Sequence, residues 1–116
     1  MMSYKRGDVI LVRFPNSDLI TFKKRPALVV QGDGLCTGLP QKIVAMITSK
    51  VNRTGPTRVM VSKNDSAGRA MGLLTDSVVV TDNLATVLER EIDKTIGYCP
   101  NMSTVETALK ITLGVS

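Results

Sequence analysis

The chain has 116 residues, 43% of them apolar, with a formal charge of +5, which predicts one domain large enough to bury a core. It contains no histidine and only two cysteines, which excludes Ser-His-Asp and Cys-His catalysis, histidine-based metal sites and a structural zinc site built from the chain alone. No segment approaches the roughly 20 uninterrupted apolar residues of a membrane helix, and the charged start MMSYKRGDVI is unlike a secretory signal, so a cytoplasmic protein without membrane contact is expected.

Residues 8 to 14 (DVILVRF) are β-rich and run into the turn cluster Pro15, Asn16, Ser17 and Asp18. A polar loop, residues 15 to 24, re-enters through Lys23, Lys24 and Arg25 into a second strand, residues 26 to 31, which Gly32-Asp33-Gly34 breaks. A third strand is expected over 42 to 49 (KIVAMITS), a fourth over 57 to 62 (TRVMVS), then a polar loop over 63 to 75, and a fifth strand over 77 to 81 (SVVVT). Residues 84 to 92 read as a short helical turn. The one clear helix is NMSTVETALKITLG, with Ser103 and Glu106 as a capping box, Val105, Ala108, Leu109, Thr112 and Leu113 on one face, and Gly114 closing the end. Cys36 and Cys99 lie far apart and are expected to be free thiols. There is no P-loop, GxGxxG, internal repeat or linker.

Strands followed by a packing helix suggest an α+β fold, a small, strongly curved antiparallel β-barrel or half-barrel. Its charge is uneven: residues 1 to 58 hold 10 Lys/Arg against 3 Asp/Glu, and residues 59 to 116 hold 5 against 7. A polyanion partner and simple solubility both account for that skew. The KKR of 23 to 25 likewise has two readings, a basic loop anchored by a rigid strand or edge protection against aggregation.

A resemblance favours the first. Lys5-Arg6-Gly7-Asp8-Val9, Lys24-Arg25-Pro26-Ala27-Leu28-Val29, Ile47-Thr48-Ser49, Gly72-Leu73 with Asp76-Ser77-Val78-Val79, Thr86-Val87, Ile96-Gly97 and Ala108-Leu109-Lys110 to Gly114 occur in an order that resembles the MazF/PemK family. The likeness spans nearly the whole chain. It implies an SH3-like barrel of the MazF/PemK/CcdB type and a toxin of a toxin-antitoxin module. Its activity would be metal-independent, sequence-specific cleavage of single-stranded RNA, with no cofactor. It also implies a homodimer and a cognate antitoxin whose acidic, partly disordered segment covers the RNA path, in keeping with the basic first half.

The resemblance makes Arg25 a catalytic residue, and its guanidinium fork suits two phosphate oxygens. Thr48 matches the family's hydroxyl residue, a short donor for the phosphate or developing oxyanion, although a strand-end threonine also serves the backbone. Arg25 stays protonated and is a poor base; for proton transfer the resemblance implies Asp18, in the loop where some members place a catalytic carboxylate, or Asp82, in the segment where others use an acid beside an arginine, each alternatively a turn residue or strand-end cap. Phe22 is a stacking platform or a loop anchor. Lys23, Lys24, Ser49, Lys50, Asn52, Arg53 and Thr54 are candidate RNA contacts or a solvated basic surface. One departure stands out: many members carry arginine before the threonine of Thr86-Val87, where this chain has Ala85. A catalytically silent RNA- or protein-binding relative therefore remains an alternative. A gyrase-directed toxin on the related fold fits less well, because that class uses a C-terminal tryptophan and this chain has none.

Overall fold

The computed structural model describes residues 4 to 15, 18 and 20 to 116. Six strands form one antiparallel sheet: β1 (Asp8–Pro15), β2 (Phe22–Val29), β3 (Gln41–Thr48), β4 (Arg58–Val61), β5 (Ser77–Leu88) and β6 (Ile92–Tyr98), in the spatial order β4-β5-β3-β2-β1-β6. A short helix α1 (Ser66–Ala70) precedes β5, a single 3-10 turn (Glu89–Glu91) joins β5 to β6, and α2 (Met102–Leu113) ends the fold. No described helix is long and apolar enough to cross a membrane.

The apolar runs of β1 to β3 alternate between two cores. Val9, Leu28 and Ala45 join Met71, Leu73, Val79 and Val105 of α2 in one cluster. Ile10, Ala27, Val29 and Val44 join Tyr4, Val87 and Ile92 in the other. The sheet is thus buried on both faces at its centre, which explains strands that are apolar continuously rather than at every second position.

The α+β class stands, but among the described residues the expected barrel is not closed by strand pairing, since β4 and β6 are the sheet edges. The turn after α1 packs against β6 through glycines instead. A Cβ on Gly97 would lie 2.5 Å from the carbonyl carbon of Met71 and closer still to the Ala70 oxygen. Gly72, at φ +71°, would carry its Cβ 3.0 Å from the carbonyl carbon of Ile96 and closer still to that residue's oxygen. Backbone lies on backbone here, and only glycine leaves the room.

Several element expectations change. β2 begins at Phe22, so Lys23, Lys24 and Arg25 belong to the strand, opposite Phe14, Arg13 and Val12 of β1. Residues 84 to 88 continue β5 rather than forming a helical turn, because they pair with Gln41–Ala45 of β3. Between Leu84 and Val80 the register shifts, so Asp82 and Asn83 mark a bulge inside a strand instead of its end. The polar loop over 63 to 75 contains α1. Strand β6 has no counterpart among the sequence expectations; two bulges in its pairing with β1 break the alternation that would reveal it.

Helix α2 starts after Asn101, and the capping box does not form. Ser103 Oγ donates to Asn101 Oδ1, while Glu106 pairs with Arg6 at 2.9 Å. Arg6 also donates to the Val30 carbonyl just past β2, so it ties the segment before β1 to the end of β2 and to α2. Val105 and Ala108 are buried, Thr112 reaches the buried Thr81 hydroxyl at 3.0 Å, and Leu113 is exposed. Gly114 closes the helix at φ +67°, with the Val115 amide bonded to Lys110 O. Asn16 and Ser17 of the expected first turn lie outside the described residues. Cys36 and Cys99 are both free.

Candidate nucleic-acid interface

The β2–β3 ladder runs only from Val29↔Val44 to Ala27↔Met46. Pro26, which has no N–H to donate, is the first β2 residue without a β3 partner. From there the strands part and a groove of about 660 Å³ opens between them. Lys23, Lys24, Arg25 and Pro26 form one wall; Ile47, Thr48, Ser49 and Lys50 form the other. Leu11, Ile96 and the turn from Gly72 to Thr75 complete the lining, together with Ser77 and Lys94.

Extending the β2–β3 register places Arg25 opposite Thr48. They are 23 residues apart in sequence, no β2–β3 pairing joins them, and both line the groove. The Thr48 hydroxyl oxygen accepts from the Lys50 amide at 3.1 Å. That bond orients the side chain and leaves its own O–H available to donate. Ser77 is buried and its hydroxyl donates to Thr75 O at 2.9 Å, so it braces the turn.

Five cations line the groove, Lys23, Lys24, Arg25, Lys50 and Lys94. Among the described residues no carboxylate lines it. Lys24 does meet one acid, Asp93, at 3.3 Å. A cleft with one sign of charge focuses potential on an incoming anion. Among the described residues, no group of three or more His, Cys, Asp or Glu is placed to hold a metal ion.

The remaining candidates lie around this groove or away from it. Phe22 is 53% exposed and is not tucked into the core; the Arg13 guanidinium lies 4.9 Å from its ring centroid. Asn52, Arg53 and Thr54 are exposed on the β3–β4 connection and do not line the groove. Asp82 accepts from the Thr57 hydroxyl at 2.9 Å, in the β5 bulge, and is likewise outside the lining. Ala85 is half-buried against the second core cluster, opposite Val44.

Asp18 is held within its loop. Its carboxylate accepts from the Thr21 amide at 3.0 Å, the Ile20 amide at 2.9 Å and the Thr21 hydroxyl. These bonds, the Thr21 amide foremost, hold its pKa below the ordinary 3.8. A carboxyl with a depressed folded-state pKa stabilises its loop fully above the unfolded value and loses that contribution as pH falls through the folded value. An NMR titration is expected to find the Asp18 midpoint below 3.8, with the Thr21 amide shift following it, and Asp18→Asn should abolish that acid-side transition. A midpoint at or above the ordinary value would show that the loop does not hold the carboxylate.

Sequence reasoning missed Lys94 and Arg13. Lys94 sits on the unrecognised β6, and Arg13 gains its place only through β1–β2 pairing with the region of Phe22.

A family model described as PemK-like, MazF-like toxin of type II toxin-antitoxin system matches residues 5–113. An endoribonuclease from Mycobacterial species is similar at 26% identity, with 99% of this chain and 95% of that chain covered and a TM-score of 0.72. An endoribonuclease in complex with its cognate antitoxin, also from Mycobacterial species, has a TM-score of 0.74 at 23% identity, covering 98% of each chain. MazE-MazF from Deinococcus radiodurans gives 0.74 at 18% identity over the full length of both chains. At the two lower identities the likeness is one of fold.

Proposed function

Because the chain belongs to the PemK-like, MazF-like toxin family of type II toxin-antitoxin systems, we propose that its basic groove is the active site of an endoribonuclease. In this reading it cuts single-stranded messenger RNA at a specific sequence and without a metal. The observation that carries it is the parting of β2 and β3 at Pro26, which sets Arg25 and Thr48 across a cleft lined by five cations. The similar Mycobacterial endoribonuclease supports the same activity.

The RNA 2′-hydroxyl attacks the adjacent phosphorus, the bond to the 5′-oxygen breaks, and a 2′,3′-cyclic phosphate and a free 5′-hydroxyl result. One proton leaves the attacking oxygen and one reaches the departing oxygen. Negative charge grows on the nonbridging oxygens, where Arg25 presents two parallel N–H donors and Thr48 a hydroxyl. Fixed donors in a partly enclosed cleft need little reorganisation as that charge develops. Lys23, Lys24 and Lys50 hold flanking phosphates, and Ser49, Asn52, Arg53 and Thr54 extend the contact along the β3 wall. Phe22 offers a ring face to a splayed base. Asp18 holds the β1–β2 loop in shape.

Homodimerisation and an acidic antitoxin segment that competes with RNA for the groove belong to the same reading, as does a cytoplasmic setting. The similar Mycobacterial structure contains a cognate antitoxin, and the groove charge suits such a segment.

The test is cleavage of a long single-stranded RNA by purified protein in EDTA, with the ends mapped. Cuts at a recurring short sequence, leaving a 2′,3′-cyclic phosphate, are the expected outcome. RNA that is bound but left intact would overturn the nuclease reading in favour of a silent binding relative, for which Ala85 in place of the common arginine is the motivating feature.

A further inference from the structure

The groove has a second cationic end that the catalytic pair does not use. In the β1–β6 ladder Leu11 pairs with Lys94 and Val12 with Ile92, so Asp93 is the extra residue of a bulge. Bulges re-aim side chains, and this one separates two neighbours of opposite charge. Lys94 lines the groove, whereas Asp93 reaches Lys24 at 3.3 Å. Lys94 itself has no ion-pair partner among the described residues.

Register separates this cation from the catalytic pair. Lys94 shares the Leu11 row with Pro26, while Arg25 shares the Val12 row. Strand β6 is also two strand spacings from β2, about 10 Å. That backbone spacing is wider than a single phosphate group, so the two cations suit successive phosphates of one strand.

We infer that the β6 bulge builds a second phosphate seat for single-stranded RNA, in which Lys94 grips a phosphate other than the scissile one and Asp93 positions Lys24 beside it. This rests on the RNA reading of the groove but not on cleavage. A lysine suits the task, being a mobile point charge that binds a phosphate without demanding one base or one exact strand geometry. Its contribution is therefore to affinity for any sequence, and not to the choice of cleavage site.

The probe is a mixed-sequence 2′-O-methyl oligoribonucleotide, which lacks the attacking hydroxyl and cannot be cut by this route. Its binding is measured by fluorescence anisotropy over a salt series. Lys94→Ala is expected to weaken binding about tenfold at low salt and to reduce the steepness of log K against log salt by about 0.7, the value for one phosphate contact on a single strand. Lys94→Arg should restore both. Asp93→Asn should leave the steepness near wild type, because no cation is removed. An unchanged slope in Lys94→Ala, or a loss that Lys94→Arg does not repair, overturns the inference. So does a defect confined to binding of a glutamate-rich peptide, or a wild-type protein that binds no RNA. Wild type that binds with the Lys94-dependent slope yet fails to cut natural RNA leaves the second seat standing and removes the endoribonuclease reading alone.

Discussion

Arg25→Ala is expected to lower the rate of RNA cleavage by about 10²- to 10³-fold, corresponding to about 3–4 kcal/mol of transition-state stabilisation. The loss should fall mainly on kcat, because the guanidinium meets the phosphate most strongly when its oxygens carry the extra charge. Thermal stability should change by less than about 2 °C, since Arg25 is exposed and makes no salt bridge among the described residues. Arg25→Lys should recover little activity, because an ammonium does not reproduce two parallel donors on a fixed plane. Single-turnover kinetics on a mapped RNA site, with a melting curve for each variant, measure both quantities. A kcat within a few-fold of wild type for Arg25→Ala would remove this residue from the catalytic role.

Gly97→Ala should have the largest effect on stability, a loss of about 3 kcal/mol, at the upper end for overpacking, because backbone meets backbone. The added methyl would collide with the Ala70 oxygen and Met71 carbonyl carbon, neither of which is the free end of a side chain. The turn after α1 must then lift from β6, drawing Met71 and Leu73 out of the first core cluster. That same turn lines the groove, so a destabilised protein that still folds should also bind RNA less tightly. Denaturant unfolding monitored by circular dichroism checks the value. Gly34→Ala is the natural control, since a Cβ there meets nothing within 4 Å. A loss no greater than the control's would mean that the turn and β6 are not in backbone contact.

These two glycines also give a physical reason for two of the motifs in the family resemblance. Gly72-Leu73 and Ile96-Gly97 are 24 residues apart at their first positions, yet each supplies the clearance the other requires. A similar reason applies to Arg25-Pro26 and Ile47-Thr48-Ser49, which form the two groove walls after the strands part.

Local chemistry was enough to place most of β1, β3, β4 and α2, because apolar runs between turn residues and a helical stripe ending in glycine are statements about neighbours in the chain. It was also enough to single out Arg25, Thr48 and the lysines beside them, given the resemblance. What it did not contain was anything that depends on a partner strand. Asp82 has a strand-end cap as one reading, but pairing with β3 carries β5 past it to Leu88. β6 stayed hidden because its bulges spoil the period of two, and those bulges exist only against β1. Lys94 entered the groove by the same route. Residues close together in the chain dictate the elements with a strong local period and the charge of the groove walls, and the family resemblance nominates Arg25 and Thr48; the open sheet, the point where β2 and β3 cease to pair and the distant cation that faces the cleft come from the assembled fold. The division follows from what sets each feature: propensity and periodicity act over a few residues, whereas register, bulges and close glycine contacts are energies of pairing between segments far apart in the chain.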